Sequence, residues 1–280
     1  MIKAKKSLGQ NFLVDKNISR RIVETVSPQT SDLVIEIGPG TGALTRLLTE
    51  SAGRVIALEI DPRLVEELRG SISSSNLEIV EADALSLDWR RLITGATASW
   101  VEQSQQSDAR PRVRIVANLP YYISTPILQR LIEQHDYIFD MTLMLQSEVV
   151  ERIAAAPGGR EYGYLSVLVQ YYCEVKKLIA APPSAFRPAP KVQSSVIRLV
   201  VRERPIVRVS SEKSFFALVR AAFAQRRKTI SNNLKAAETQ LRFSTPVDQA
   251  LEEAKIDSRI RAEMLSIADF ARLHGAITEG

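Results

Sequence analysis

An α/β fold is what these 280 residues predict: a mostly parallel sheet of seven strands, followed by a small all-helical domain. Three observations carry the prediction. Short apolar runs recur and alternate with helical patterns, which is the arrangement of right-handed βαβ units. A glycine-dense turn, Gly38-Pro39-Gly40-Thr41-Gly42, ends the first of those runs. Beyond about Ser211 the strand signals cease and the apolar spacing becomes wholly helical.

Taken in order, Leu33 to Ile37 reads as a buried strand, and a helical pattern with Leu44, Leu47 and Leu48 on one face comes after its glycine turn. Arg54 to Leu58 is the next strand. Asp61 and Pro62 then start a helix, Asp61 as its cap and Pro62 in its first turn. Leu77 to Val80, Val113 to Ala117 and Thr142 to Leu145 read as three further strands. Helical patterns cover Thr125 to Gln134, Ser147 to Ala155 and Tyr164 to Cys173. Val175 to Ala180 and Val196 to Val201 add two edge strands. Thr94 to Pro111 is polar with little periodicity and reads as a surface loop. A boundary at Glu203-Arg204-Pro205 divides a domain over 1–205 from a helical one over 206–280, in which Phe215, Leu218, Val219, Ala222 and Phe223 share a face.

Composition narrows the class. The hydrophobic fraction is 45%, that of an ordinary globular core. No apolar run reaches the roughly 18 residues of a membrane span, and the basic N-terminus leads into no signal segment. The single cysteine, Cys173, excludes an internal disulfide and a cysteine-based zinc site, and His135 and His274 lack metal-ligand spacing. A cytoplasmic protein without a metal is expected. Net charge is +5, unevenly spread: residues 1–21 stand at +5, 22–180 at −7, 181–240 at +9 and 241–280 at −2. Positive ends around an acidic middle suit a polyanionic partner, although a charge run is also what a solvated face looks like.

Open α/β sheets bind ligands beyond the carboxyl ends of their strands, and four successive strand ends here carry suitable groups. The first has Gly38, Gly40 and Gly42, which allow close approach of backbone to ligand. The second has Glu59, placed to accept both hydroxyls of a ribose. The third has Asp83, beside Ala84, able to accept a hydrogen bond from an adenine amine. The fourth has Asn118. Together they outline an adenosine-bearing cofactor. The glycine turn also satisfies a dinucleotide fingerprint, so a nicotinamide dehydrogenase is a rival; but nothing resembles a hydride-transfer acid/base pair. Glu36-x-Gly-x-Gly-x-Gly is the form typical of S-adenosylmethionine sites. Taken singly, Asp83 can be a helix cap and Glu59 a solvated strand end.

Asn118-Leu119-Pro120-Tyr121 places an amide, a free carbonyl and an aromatic face at one point. Such groups can hold an exocyclic amine on a flat base.

The chain resembles the rRNA adenine N6,N6-dimethyltransferases over nearly its whole length, and most closely their bacterial small-subunit branch. The resemblance rests on Lys6-Ser7-Leu8-Gly9-Gln10-Asn11-Phe12-Leu13, on Glu36 to Gly42, on Asn118 to Tyr121, on Phe186-Arg187-Pro188-Ala189-Pro190-Lys191-Val192, and on Ala221 to Thr229. It implies a class I, Rossmann-like methyltransferase. S-adenosylmethionine would be held by Gln10, Asn11, Leu13, Glu36, Gly38, Gly40, Gly42, Glu59, Asp83, Ala84 and Asn118, with the N-terminal segment folded over it. It further implies catalysis by Asn118, Leu119, Pro120, Tyr121 and Phe186, the last as a second aromatic on the base. Arg220, Arg226, Arg227 and Lys228 would contact RNA phosphates, or in part stabilise the domain. Tyr122 is a third stacking surface or a core residue. The implied substrate is 16S rRNA in the small subunit or its precursor, dimethylated on two adjacent adenosines of the 3′-terminal hairpin by a monomer acting in small-subunit biogenesis. Gln193 stands where relatives often have Asp, and the 94–111 segment has no counterpart in the family pattern. A macrolide-resistance methylase acting on large-subunit rRNA and a weakly catalytic assembly factor are the competing assignments; Leu119 and the basic Gln225–Lys228 segment, expected to be helical, favour the small-subunit enzyme, and the intact Asn118–Tyr121 argues for activity.

Overall fold

The computed structural model describes residues 2–104 and 111–278. Its elements run β1 (Phe12–Leu13), α1 (Lys16–Val26), β2 (Asp32–Ile37), α2 (Thr45–Thr49), β3 (Arg54–Glu59), α3 (Pro62–Ser71), β4 (Leu77–Glu81), α4 (Trp89–Ser104), β5 (Arg112–Asn118), α5 (Ser124–Ile132), β6 (Asp140–Gln146), α6 (Ser147–Ala154), α7 (Tyr164–Tyr172), β7 (Cys173–Ala181), β8 (Phe186–Arg187), β9 (Ser194–Val201), α8 (Glu212–Ala222), α9 (Ile230–Leu241), α10 (Val247–Glu253) and α11 (Ile267–Thr278).

Seven strands form one sheet in the order β4-β3-β2-β5-β6-β9-β7. The pairs β4-β3-β2-β5-β6 are parallel, and β9 runs antiparallel to β6. Helical crossovers between parallel neighbours explain why β2 and β6 are buried on both faces. The chain lays β3 and β4 on one side of β2 and returns to place β5 on the other. The carboxyl ends of β2 and β5 therefore form the topological switch point. Of the two strands expected at an edge, only β7 lies there. β9 sits between β6 and β7, and its apolar residues Val196, Ile197 and Leu199 are buried.

Helix starts obey local chemistry. Asp15 caps α1 by accepting from the backbone N–H of Asn17 (2.8 Å) and Ile18 (3.1 Å). Asp61 accepts from Arg63 N–H at the start of α3, with Pro62 in the first turn as expected. The 94–111 segment departs from expectation: Thr94 to Ser104 belongs to α4, and 105–110 lie outside the described residues. Trp89, Ile93, Ala96 and Trp100 recur at helical spacing, and the first three are buried. The intervening Thr, Gly and Ser residues conceal this stripe in the sequence.

The chain divides into two compact units, Met1–Val150 with Lys176–Val201, and Glu151–Val175 with Arg202–Gly280. The third crossing, at 201/202, lies near the expected boundary at 205, but the helical unit also takes in 151–175. Its aromatic cluster explains this: Tyr171 of α7 meets Phe215 and Phe216 of α8 at ring-centroid distances of 5.3 and 5.1 Å. Glu212 accepts from the Tyr172 hydroxyl at 2.7 Å.

At the amino ends of the strands in the sheet unit lies a buried charge cluster. Arg114 donates to Asp32 and Asp140, both at 2.7 Å, and to the Val26 carbonyl at 3.1 Å. Arg198 on β9 joins Asp140 as well. These bonds tie β2, β5, β6 and β9 together.

Candidate active site

One cavity opens at the switch point, enclosing about 1160 Å³ counted with its open mouth. It gathers residues from several stretches of chain. Gln10, Asn11 and Leu13 come from the N-terminal segment, Glu36, Gly38 and Gly40 from the end of β2, Glu59 from the end of β3, and Asp83 and Ala84 from beyond β4. Asn118 ends β5, and Leu119, Pro120 and Tyr121 come directly after it.

The glycine turn is shaped by steric demand. Gly40 has φ +58°, and a Cβ there would stand 3.0 Å from the Phe12 ring, which packs over the turn. Gly42 has φ +81° and does not line the cavity. A Cβ on it would meet Ile72 at 2.8 Å and Leu68 at 3.0 Å, so its part is to seat the turn against α3.

Glu59 is held by three backbone donors: Gly40 N–H to Oε2 at 3.1 Å, and Ile60 and Asp61 N–H to Oε1, each at 3.0 Å. Burial nonetheless raises its pKa above the ordinary carboxylate value, with these donors opposing. Asp83 accepts from the N–H of Leu85 at 2.9 Å in a turn well before α4 begins at Trp89, so it is not the helix cap that the sequence also allowed. Glu36 is 2% exposed, and its Oε2 accepts no hydrogen bond from the described residues.

The N-terminal segment is fastened across this cavity at three points. Lys5 Nζ and Gln10 Nε2 donate to Asp61 at 3.0 and 3.2 Å. Arg63, foremost, together with Lys5 and Gln10, keeps Asp61 well below the usual carboxylate range. Asn118 Nδ2 donates to the Asn11 carbonyl at 3.2 Å. The β1–β8 ladder, with Val14 N–H on the Ala185 carbonyl at 2.9 Å, holds the far end. None of these fastenings is readable from the sequence, where Asp61 shows only its capping role.

The Asn118 contact sets how the amide faces. Its nitrogen is committed to Asn11, which leaves Oδ1 as an acceptor. No hydrogen bond among the described residues engages the Leu119 carbonyl, while its N–H donates to the Met144 carbonyl at 3.2 Å. The Tyr121 hydroxyl bonds Ser194 at 2.7 Å, which fixes the ring. Burial raises that phenol's pKa, with Ser194 opposing.

Two aromatic expectations change. Phe186 is 1% exposed and does not line the cavity. It pairs with Leu13 in the β1–β8 ladder and packs in the core with Leu13, Ala185 and Val196. For its ring to reach a base, that ladder would have to shift. Tyr122 is 59% exposed and lines the cavity mouth beside Gly9, so it is not a core residue.

In the helical unit the basic segment is not helical: 223–229 form the turn between α8 and α9. Asn233 Nδ2 holds that turn by donating to the carbonyls of Ala222 and Gln225 at 2.6 and 3.1 Å. Arg220 lies over the Tyr164 ring, 4.9 Å from its centroid, and Arg226 donates to the Arg160 carbonyl. Arg227 and Lys228 are exposed, with no side-chain partner among the described residues.

The donor set suits a ligand bearing hydroxyls, an amine and positive charge: three carboxyl groups and several carbonyls line the cavity, and among the described residues no Lys, Arg or His does. The architecture and this cavity define the class, a Rossmann-like methyltransferase. A crystal structure of a dimethyladenosine transferase from Plasmodium falciparum matches with TM-score 0.76 at 27% identity, covering 94% of this chain and 95% of that one. The 23S rRNA methyltransferase ErmE matches with TM-score 0.66 at 26% identity, covering 95% and 99%. The family model for ribosomal RNA adenine dimethylase matches residues 1–277. Ribosomal RNA small subunit methyltransferase A of Shouchella clausii (strain KSM-K16) is 45% identical over 274 residues, covering 98% of this chain and 89% of that protein. Its namesake in Halothermothrix orenii is 43% identical over 278 residues, covering 99% and 89%. The chain belongs to the ribosomal RNA adenine dimethylase family.

Proposed function

We propose that the chain dimethylates N6 of two adjacent adenosines in the 3′-terminal hairpin of 16S rRNA, using S-adenosylmethionine, in the course of small-subunit biogenesis. The observation that carries the chemistry is the orientation of Asn118. With its amide nitrogen held by Asn11, Oδ1 is left as an acceptor, and Leu119, the next residue lining the same cavity, has a carbonyl that no hydrogen bond among the described residues engages, so two acceptors are available to an exocyclic amine bound there.

The uncommitted carboxyl of Glu36, the glycine cradle, Glu59 and Asp83 are the groups that would hold the cofactor. Bound there, it supplies an electrophilic methyl on a sulfonium. The protein's task is then to make N6 a nucleophile, because its lone pair is delocalised into the purine. Oδ1 of Asn118 and the Leu119 carbonyl accept the two N6–H bonds, pull the nitrogen toward tetrahedral geometry, and stabilise positive charge as it develops. Pro120 fixes φ in the turn that carries them. Transfer would form an N–C bond at the expense of the donor's C–S bond, and the cationic nitrogen, held by the same two acceptors, would lose its proton to solvent. Positioning supplies much of the rate. Glu59 already serves three N–H groups, and neither it nor Asp83 is assigned as a base.

The target base must leave its stack, and Tyr121 and the exposed Tyr122 offer stacking faces, each worth about 1–3 kcal/mol. Phe186 joins them only if the β1–β8 ladder moves. Arg227 and Lys228 are the exposed cations proposed to meet RNA phosphates, while Arg220 and Arg226 hold the helical unit together.

Small-subunit relatives at 42–45% identity, against 26% for ErmE, support the choice of substrate. The test is incubation with labelled S-adenosylmethionine and either unmethylated small subunits or naked large-subunit rRNA, with nucleoside analysis of the products. Dimethyladenosine in the small-subunit RNA is expected. Its appearance only in the large-subunit RNA, or full transfer by Asn118→Ala, would refute the assignment.

A further inference from the structure

Three carboxyl groups line the cavity, and the protein treats them differently. Glu59 is met by three backbone N–H groups and Asp83 by one. Glu36 projects from β2, where its ladder neighbours are Ala57 and Val116, and its buried Oε2 is met by none among the described residues. The Thr45 hydroxyl lies near enough to favour the ionised form, yet it makes no hydrogen bond of ordinary geometry with Oε2. A carboxyl left this way inside a binding cavity is completed by what binds there.

The charges around it are few. Glu59 stands at the end of β3, Asp83 beyond β4, and Tyr121 and Tyr122 beyond β5; among the described residues no cationic side chain lines the cavity. Asp61, behind Glu59, is already paired with Lys5 and Arg63. Burial pushes the Glu36 carboxyl up to about 7, against the Thr45 hydroxyl and with help from Glu59.

The two ligands such a site meets in turn differ by one charge. The sulfonium cofactor carries its sulfur charge, an ammonium and a carboxylate, a net of +1. The spent thioether, without the sulfonium, is neutral. On the reading of the cavity given above, we propose that Glu36 makes the site select by charge: it ionises against the cationic cofactor and returns to its own proton equilibrium against the neutral thioether, so that loading the cavity expels a proton and the spent ligand meets a site that no longer favours it. The balance closes over a turnover. The positive charge leaves the cavity with the methyl group, the methylated N6 loses a proton to solvent, and Glu36 takes one back.

The test is calorimetric binding of S-adenosylmethionine and of S-adenosylhomocysteine to the full chain, between about pH 6 and about pH 8, in buffers of different ionisation enthalpy. Proton release is expected with the first ligand and not the second. The preference for the first should climb by up to about tenfold per pH unit and level off above about pH 7. Glu36→Gln should abolish the extra release and flatten the preference. Titration of the ligands' own amines is common to both proteins and drops out of that comparison. Thr45→Val should move the levelling-off to higher pH, because a hydroxyl that favours the ionised form is gone. Equal release with both ligands, unchanged release in Glu36→Gln, or an unmoved profile in Thr45→Val would overturn the inference. Failure of both ligands to bind the unaltered chain would overturn it together with the function on which it rests.

Discussion

Replacing Arg114 with Met tests whether the buried charge cluster holds the sheet together. Met fills much of the same volume but donates nothing. Asp32 and Asp140, both at 0% exposure, would each lose a donor at 2.7 Å, and the Val26 carbonyl would lose one at 3.1 Å. Asp32 would keep the Gln29 N–H and Asp140 would keep Arg198. Breaking a buried pair from one side costs about 3–5 kcal/mol, because a charge is left without compensation. That is a large part of a typical domain stability of about 5–15 kcal/mol. The assay is urea unfolding of the ligand-free protein at several pH values. In the unaltered protein burial already raises Asp140, with Arg114 the first opponent. Without Arg114 the Asp140 carboxyl rises further. A carboxyl whose folded pKa is raised contributes stability at low pH and loses it as pH climbs through that value. The deficit is therefore greatest near pH 8 and narrows toward pH 5. Adding Asp32→Asn should restore part of it. Cofactor affinity of the folded variant should be unchanged, because the cluster lies about 13 Å along the strands from the cavity. A loss under about 1 kcal/mol, or one that ignores pH, would refute the reasoning.

Gly53→Ala would set a Cβ 2.0 Å from the Thr30 carbonyl oxygen and 2.2 Å from the Trp100 ring, where backbone cannot yield. A cost of at least about 2 kcal/mol is expected, read as a fall of about 4–8 °C in the thermal midpoint. Gly70→Ala, in α3 with open space around it, should instead be neutral or stabilising by up to about 1 kcal/mol in the same scan. Arg227→Ala with Lys228→Ala should weaken RNA binding and lower the slope of log affinity against log salt by about 1–2, measured by filter binding across salt concentrations. Arg220→Ala should act more through the thermal midpoint than through that slope, because its guanidinium is engaged with Tyr164.

Short-range pattern is legible in the chain before it folds. Apolar period separates strands from helices, the glycine turn marks where the first strand must release its backbone, and counting strands places Glu59, Asp83 and Asn118 at successive carboxyl ends. Those local rules place Gly38, Gly40, Glu59, Asp83 and Asn118 around one cavity, whereas Gln10, Asn11 and Leu13 were expected there only from the family resemblance. They misjudged α4, because small polar residues mask the stripe of Trp89, Ile93, Ala96 and Trp100, and they made a helix of the 223–229 turn. Everything else waited on folding. Arg114 looks like a blemish in an apolar run until strands far apart in the chain bring Asp32 and Asp140 to it, Asp32 lying 82 residues away. The side Asn118 presents is set by a carbonyl 107 residues earlier. Phe186 is turned inward by a ladder with Leu13, and Glu36 is left without a donor only because of what surrounds it once folded. Hydrogen-bond partners and burial are properties of neighbours in space, and no spacing along the chain encodes them.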